Sequence, residues 1–266
     1  HRVLWGSAVG VVVGLGLMLW FGSDLIVEWA VARIPVQWEQ KLGETVYQDF
    51  LSKETVLKDG PAVSAVQEMT QRMTAKIPNN PYTFQVSVVQ SPMVNAFALP
   101  GGYVVVFTGL MRKAESGEEV AGVLSHELNH VLQRHGMERL VKMMGVAAVV
   151  SILVGDQQGL IGLARQLGLE LATLKFGREQ ETEADVTGIR LLSDARIAPD
   201  GMIRFFERLS EKDKERVELF STHPMSAARA ERLKTELAAL PKQTPEPFTF
   251  EWKQVQDSLS SSEQRK

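Results

Sequence analysis

Two histidines and a glutamate near the middle of this 266-residue chain are spaced for metal chemistry. His126, Glu127 and His130 form the pattern H-E-x-x-H. On a helix four residues advance by about 400°, so the two imidazoles lie on one face, one turn apart. Two such imidazoles can bind one Zn²⁺, while Glu127 can take a proton from metal-bound water. The pattern therefore predicts a catalytic zinc site; the alternative is a surface helix with two solvated histidines.

A catalytic zinc site needs a third ligand, because it combines three protein ligands with one water. The chain has no cysteine, so that ligand must be a histidine or a carboxylate. His135 lies about 140° around the helix from His130, and we expect it to point away as a polar or capping residue. His223 remains a candidate. So does an acidic run: Glu179, Glu181, Glu183 and Asp185.

Within this acidic run, Glu181 and Asp185 are four residues apart and share one helical face. One of them could bind the metal while the other accepts a hydrogen bond from a ligand imidazole and so fixes its tautomer. An acidic run taken alone is more often a solvated helix face. Combined with H-E-x-x-H, the metal-site interpretation is favoured.

Helical and extended patterns surround these residues. Apolar side chains recur at helical spacing from Val120 to Met137, which predicts the metal-binding helix. Before it, residues 83–90, 95–99 and 103–108 read as strands, and the last two form a hairpin through a Pro-Gly-Gly turn. An exposed strand edge beside a zinc cleft can bind an extended peptide through its backbone. The sequence therefore predicts a substrate strand, unless these strands only build the sheet: Asn95, Ala96, Phe97 and Ala98.

The fold class expected from these patterns is α+β: a mostly helical domain with a small β-sheet and an N-terminal transmembrane helix. We expect four regions: a transmembrane anchor over 1–23, a juxtamembrane amphipathic helical segment over 24–60, the catalytic domain over 61–240, and a C-terminal extension over 241–266. The last dozen residues are expected to be disordered, because they are polar. A net charge of −3 gives no indication of nucleic-acid binding.

The membrane anchor is predicted from residues 3–22, which carry no charge and would span about 30 Å as a helix. Trp5 and Trp20 lie near the two ends, as interfacial anchors do. A cleaved signal peptide and a buried core helix are the alternatives. The flanking charges favour a cytoplasmic N-terminus with the remainder outside. Residues 143–174 hold two further apolar stretches, expected to form a helical hairpin that is core, a lid or a membrane-dipping element.

Several motifs together resemble one family. HELNH followed by RHG, then REQETEADVTG, then STHP with a downstream arginine, is similar to the HtpX, BepA and Oma-type zinc metallopeptidases, relatives of the type I CAAX prenyl endopeptidase. The segment NAFALPGGYVVVFTGLM also looks like that family, and the resemblance covers roughly Ala62 to Leu233. It implies a zincin-like metalloprotease domain in which Glu181 is the third zinc ligand and Asp185 accepts a hydrogen bond from a ligand imidazole. Glu183 remains a fallback ligand.

The resemblance extends to His223 and Pro224. In the family this histidine is thought to stabilise the developing oxyanion, or to occupy the open zinc position in a closed state. Arg229 would support the same pocket. The alternative for His223 is an ordinary loop histidine.

The predicted function is a membrane-anchored zinc endopeptidase with one Zn²⁺ per chain. Its expected substrates are misfolded or unassembled envelope and membrane proteins. Its expected location is the bacterial inner membrane, with a single span and a periplasmic catalytic domain. The alternative is a non-proteolytic, chaperone-like scaffold whose zinc is structural, with His223 as a permanent fourth ligand.

Overall fold

A computed structural model describes residues 24–145, 159, 162, 170, 173, 175–212, 218–224 and 227–263. The predicted membrane anchor and most of the predicted apolar hairpin lie outside the described residues. Among the helices that are described, none combines the length and the apolar character needed to cross a bilayer.

The described chain is mostly helical with one small sheet, which confirms the α+β prediction. Residues 24–31 are helical. The helices that follow are α1 (Val36–Leu51), α2 (Pro61–Thr74), α3 (Thr108–Lys113), α4 (Gly117–Leu132), α5 (His135–Met144), α6 (Arg178–Asp194), α7 (Asp200–Lys212), α8 (Leu219–Thr222), α9 (Ala227–Ala239) and α10 (Trp252–Glu263). The strands are β1 (Val56–Leu57), β2 (Gln85–Val89), β3 (Ala96–Leu99) and β4 (Tyr103–Phe107).

The sheet has the order β1-β2-β4-β3. β3 and β4 form the predicted antiparallel hairpin, and β2 pairs with β4 in parallel. Gly101 and Gly102 in the hairpin turn have φ of +83° and +103°, which glycine adopts without strain. A Cβ on Gly101 would also lie 2.5 Å from the Cα of Gln40, so the turn is pressed against the backbone of α1. β3 is left at the edge of the described sheet.

Two hydrophobic cores lie on the two faces of the sheet. Because successive side chains of a strand point to opposite faces, Val104 and Val106 enter one core, and Tyr103, Val105 and Phe107 enter the other. The first core contains α4 with α2, α6 and α7, and the second contains α1 and α5. Every residue of β4 is buried, so this strand lies between the two cores.

Two helices pack closely against α4. A Cβ on Gly122 would lie 2.6 Å from the Cα of Met202, so α7 packs directly against the α4 backbone. Gly188 of α6 approaches the α4 backbone at His126, and Ser125 Oγ donates a 2.8 Å hydrogen bond to its carbonyl. These contacts hold the α6 carboxylates beside the α4 histidines.

The C-terminal region differs from the prediction. Where the last dozen residues were expected to be disordered, the described part of them continues α10. Val255 and Leu259 enter the first core, and the Trp252 indole N–H donates to the Ala114 carbonyl at 3.1 Å. Apolar side chains at positions 252, 255 and 259 share one helical face, and their burial stabilises the helix. The polar composition of the segment alone did not indicate this helix.

Candidate metal centre

Helix α4 supplies the first two metal-binding candidates. His126 and His130 lie one turn apart, with their Nε2 atoms 2.9 Å from each other and both side chains buried. The helix ends at Leu132, and Arg134 adopts a left-handed conformation with φ of +58°. The chain reverses there and begins α5 at His135.

Helix α6 brings carboxylates to the same point. Glu181 Oε2 lies 3.6 Å from His126 Nε2, and Glu181 Oε1 lies 3.5 Å from His130 Nε2. One turn later, Asp185 Oδ1 lies 2.9 Å from His126 Nδ1, on the side of the ring away from Glu181. The two carboxylates therefore take the two different positions that the sequence had left open. Glu181 faces the pair of Nε2 atoms, where a metal ligand would lie, and Asp185 faces the far side of the His126 ring.

His223 joins the cluster from the turn after α8. Its Nδ1 lies 2.9 Å from Glu181 Oε1 and 3.1 Å from His126 Nε2. Its Nε2 lies 3.3 Å from Glu127 Oε1. The side chain is buried, so His223 is part of a compact site and not an exposed loop histidine.

The cluster fits a zinc ion by the chemistry and spacing of its donors. One ligand atom from each of four residues lies within 4.8 Å of all the others: His126, His130, Glu181 and His223. Bonds of about 2.0–2.1 Å in a tetrahedron place neighbouring ligands about 3.3 Å apart. The five contacts given above, from 2.9 to 3.6 Å, lie on both sides of that value. Imidazole and carboxylate are ordinary zinc ligands.

Burial and charge favour the protonation states that a metal needs. Burial, reinforced by the charge of His126, lowers the pKa of His130 well below its usual value, so its ring is neutral. Burial alone would raise the pKa of Glu181, but His223 and His130 bring it far below its usual value, so Glu181 is a carboxylate. A neutral imidazole and an ionised carboxylate are the forms that bind divalent cations.

Glu127 lies between the metal cluster and β3. It is buried, and the backbone N–H of Ala98 donates a hydrogen bond to its carboxylate. Burial raises its pKa, although the charges of His223 and His126 act in the opposite direction. A carboxylate with a raised pKa is a stronger base, which suits it to accept a proton near neutral pH.

Arg229 of α9 holds the acidic side of the site. Its Nε and Nη2 donate to the two oxygens of Asp185 at 2.7 and 2.8 Å, a bidentate pair. Its Nη1 lies 2.6 Å from Glu181 Oε2 and donates to the Pro224 carbonyl at 2.8 Å. One guanidinium thus neutralises two buried carboxylates and fixes the chain beside His223.

The predicted substrate strand covers Asn95 and the first three residues of β3. Asn95, Ala96 and Phe97 are buried, and Phe97 packs against Phe50 with ring centroids 5.2 Å apart. Their side chains therefore belong to the protein interior. Ala98, whose backbone N–H reaches Glu127, is the part of the strand that adjoins the site.

Two residues of the site were not predicted. His135 was expected to be a satisfied polar or capping residue that points away from the ligand histidines. It is hydrogen-bonded and lies outside the metal-binding cluster, but its expected direction is wrong, because its Nδ1 lies 2.9 Å from His130 Nδ1. The expectation extended α4 through residue 135, whereas the left-handed turn at Arg134 redirects the chain. Phe176 stacks on His130 with ring centroids 3.9 Å apart, and its position just before α6 gave no sign of this contact. Glu183, the fallback ligand, lies outside the cluster and contacts His135.

Comparison with known proteins now decides the family. The family model for peptidase family M48 matches residues 62–237. This chain belongs to peptidase family M48. It is therefore a zinc-dependent metalloprotease that acts on protein or peptide substrates, and the resemblance seen in its motifs is confirmed.

Three curated relatives show how far the similarity extends. Mitochondrial metalloendopeptidase OMA1 of Schizosaccharomyces pombe is 26% identical over 235 residues, which are 84% of this chain and 68% of that protein. The beta-barrel assembly-enhancing protease of Yersinia pestis is 28% identical over 213 residues, 75% of this chain but only 44% of that protein. Metalloprotease LoiP of Escherichia coli is 30% identical over 208 residues, 74% of this chain and 80% of that protein.

Proposed function

We propose that this M48 member is an endopeptidase in which His126, His130 and Glu181 hold the zinc and Glu127 is the general base. The observation that carries the proposal is the buried cluster of donor atoms within 4.8 Å of one another, with the Glu127 carboxylate beside it. A purely structural role would not require a buried carboxylate with a raised pKa at this position.

The reaction follows from the residues around that carboxylate. Zinc, when bound, polarises the scissile carbonyl and makes the attacking water more acidic. Glu127 takes the water proton and later delivers it to the leaving amine. The Ala98 backbone N–H keeps the carboxylate oriented toward the cluster through these steps. Asp185 and Arg229 keep the His126 ring in place from its far side.

His223 has two proposed roles in sequence. Its Nδ1, close to both His126 and Glu181, supports a resting state in which His223 closes the site as a fourth ligand. Its Nε2, 3.3 Å from Glu127 Oε1, supports a second role once the ring has moved away from the metal position. There it would donate a hydrogen bond to the oxyanion, and such donors contribute about 10²–10³ in rate.

The edge of β3 is the proposed binding site for the substrate backbone. β3 pairs with β4 on one side, and no other described strand pairs with it. An extended peptide could therefore add to the sheet here, with its scissile bond near Glu127. Since Asn95, Ala96 and Phe97 point into the interior or are buried, recognition would use the strand backbone more than these side chains.

We also propose that the whole protein is an envelope protease tethered to a membrane. Residues 1–23 would form the anchor, 24–60 the juxtamembrane segment, 61–240 the catalytic domain and 241–266 the extension. The uncharged stretch over 3–22 supports the anchor. The name of the Yersinia pestis relative, a beta-barrel assembly-enhancing protease, supports a role in protein assembly. The proposed substrates are misfolded or unassembled envelope and membrane proteins, and the proposed location is the bacterial inner membrane with a periplasmic catalytic domain.

A second candidate function is favoured by one observation. His223 lies among the other three donors, and four permanent protein ligands are typical of a structural zinc site. In that case the chain would be a chaperone-like scaffold that has lost proteolysis. The two candidates differ in whether the fourth position exchanges between His223 and solvent.

Glu127→Gln tests the endopeptidase proposal directly, with zinc content and cleavage of an unfolded protein measured on one sample. We expect zinc to be retained and cleavage to fall by about 100-fold or more, since the base is lost but the ligands remain. Full activity would sink the proposal. Glu181→Gln is the companion variant, and unchanged zinc occupancy would move the third ligand elsewhere.

His223→Ala separates the two candidate functions. If His223 only closes a resting site, cobalt-substituted protein should keep its metal and show a spectrum with a solvent-exchangeable position. If the zinc is structural, the variant should lose metal and unfold. The tether has its own test, because the protein should fractionate with membranes only while residues 1–23 are present.

A further inference from the structure

His130 has partners at both ring nitrogens. Its Nε2 lies 2.9 Å from His126 Nε2 and 3.5 Å from Glu181 Oε1, and so faces the metal position. Its Nδ1 lies on the opposite side of the ring, 2.9 Å from His135 Nδ1. Both histidines are buried, so water does not compete for this contact.

The contact between two Nδ1 atoms allows only one assignment of protons if His130 binds zinc. A ligating imidazole must keep the lone pair on Nε2, so the proton of neutral His130 is on Nδ1. That N–H donates to His135 Nδ1, which must therefore be unprotonated. The proton of neutral His135 is then on its Nε2, which lies 3.3 Å from Glu183 Oε2. Each donor in this series faces an acceptor.

We propose that His135 and Glu183 form a positioning relay that fixes the tautomer and the orientation of His130 as a metal ligand. The inference rests on the proposed function, because it takes His130 to be a ligand. Glu183 accepts a hydrogen bond from His135 and holds it in place. His135 in turn accepts the hydrogen bond from the one ring N–H of neutral His130. Neither residue touches substrate or metal in this arrangement.

The same site contains a comparable arrangement on the other ligand. His126 Nδ1 lies 2.9 Å from Asp185 Oδ1, and Arg229 holds that carboxylate. The two ligating histidines are thus held by different chemistry, one by a charged carboxylate and the other by a neutral imidazole. Partners of this outer kind orient the ring, and losing one commonly weakens metal binding by about 10–100-fold.

Local structure explains why His135 can reach this position. The left-handed conformation of Arg134 ends α4 and starts α5, which turns residue 135 back toward the α4 histidines. Phe176 stacks on the face of His130 at 3.9 Å. Stacking limits rotation of the ring about its Cβ–Cγ bond but does not decide which ring nitrogen carries the proton. The hydrogen bond from Nδ1 decides the tautomer and adds a second constraint on the orientation of the ring.

The experiment uses the full chain carrying Glu127→Gln, so that proteolysis does not disturb the protein. His135→Asn keeps an acceptor oxygen near the position of Nδ1, whereas His135→Leu keeps volume but removes the acceptor. Zinc affinity is measured by competition with a chromogenic chelator. We expect His135→Leu to bind zinc about 10–100-fold more weakly and His135→Asn to stay within about fivefold of the parent.

A second readout reports the tautomer itself. Long-range ¹H–¹⁵N correlation spectra of zinc-bound protein should show His130 protonated at Nδ1 in the parent and in His135→Asn. The same spectra should show His135 protonated at Nε2. Parent-like zinc affinity in His135→Leu would overturn the proposal, as would a parent spectrum with His135 protonated at Nδ1.

Glu183→Gln guards against a folding defect in the leucine variant, because the Glu183 side chain is 52% exposed and its change leaves the core intact. It should weaken zinc binding by about two- to fivefold, less than His135→Leu, since it acts one step further from the metal. Two results together would also overturn the relay. Glu183→Gln would bind zinc as tightly as the parent, and His135→Asn would lose as much zinc affinity as His135→Leu. His130→Ala distinguishes failure of the relay from failure of the proposed function. If His130→Ala leaves zinc affinity unchanged, His130 is not a zinc ligand, and the proposed ligand set is wrong as well as the relay.

Discussion

Replacing Arg229 by methionine should destabilise the protein severely, because this one cation serves two buried carboxylates. Its guanidinium donates to both oxygens of Asp185 and lies 2.6 Å from Glu181 Oε2. Methionine occupies a similar volume without charge. The variant therefore leaves two acidic groups in the interior with their principal counter-charge removed.

The magnitude follows from this geometry. Removing one partner of a buried ion pair costs about 3–5 kcal/mol, because the remaining charge is no longer compensated. We expect a loss of this size in the free energy of unfolding of zinc-free Arg229→Met. Arg229→Lys restores the charge but not the planar fork, and should fall between the variant and wild type. Bound zinc should reduce this loss in the free energy of unfolding, since it neutralises Glu181. It cannot replace the two hydrogen bonds that Arg229 donates to Asp185.

The deficit should also depend on pH in a defined direction. Burial alone would raise the pKa of Asp185, yet His126 and Arg229 together lower it below its ordinary value of 3.8. Burial alone would also raise the pKa of Glu181, but His223 and His130, which the substitution leaves in place, lower it below 4.5. Groups with depressed pKa values stabilise the fold above their unfolded-state pKa and lose that contribution as pH falls. In the unfolded chain Asp185 has its ordinary pKa in both proteins, so the pH dependence of the stability difference is set by the folded-state pKa of Asp185, which Arg229 lowers in wild type. The difference between wild type and Arg229→Met should therefore shrink as pH falls from the higher Asp185 pKa of the variant toward the lowered pKa of wild type.

Urea unfolding of zinc-free and zinc-loaded protein, followed by circular dichroism, measures these differences. Equal m-values would show that the midpoint shift is a change in stability. Arg190→Met is the matched control on α6, because Arg190 pairs with Glu236 at the surface and such pairs contribute about 0–1 kcal/mol. If Arg229→Met lost no more free energy of unfolding than Arg190→Met, then Arg229 would not be the cation that compensates Glu181 and Asp185.

Three other perturbations test how the site is supported. Gly122→Ala should lower the free energy of unfolding by about 1–3 kcal/mol, because the new Cβ forces α7 away from α4. Gly136→Ala is the control, because its Cβ would meet only ordinary contacts and should cause no loss of stability. Thermal unfolding compares the two variants. Phe176→Ala should speed zinc loss to a chelator, because it uncovers one face of His130; an unchanged rate would contradict this. Arg134→Ala should destabilise the fold by about 1–3 kcal/mol, because it removes the cation paired with buried Glu39, and a neutral result in urea unfolding would contradict that pairing.

Local periodicity was sufficient to find the central helix. A four-residue spacing places His126 and His130 on one face whatever the rest of the fold does, and the structure has them one turn apart on α4. The hairpin of β3 and β4 was equally predictable, since its Pro-Gly-Gly turn needs the positive φ that glycine provides. Both are properties of short segments.

Predictions failed where a single residue changed the direction of the chain. Treating residues 130 and 135 as one helix put His135 on the wrong side, because Arg134 adopts a left-handed conformation that sequence spacing does not reveal. The C-terminal region failed for a different reason. Its polar composition suggested disorder, whereas a stripe of three apolar residues is enough to bury one face of α10.

The remaining gap is distance between elements, which periodicity cannot supply. Glu181 could be placed on a face with Asp185, but nothing local states how near α6 lies to α4. In the folded protein the Ser125 hydroxyl donates a 2.8 Å hydrogen bond to the Gly188 carbonyl, which joins α4 to α6 beside His126. A Cβ on Gly188 would lie 3.5 Å from His126 N, an ordinary van der Waals distance, so the hydrogen bond and not the absence of a side chain marks this contact. The position of Glu181, 3.5 Å from His130 Nε2, thus depends on a contact between residues that do not bind the metal, which sequence reasoning about metal ligands does not consider.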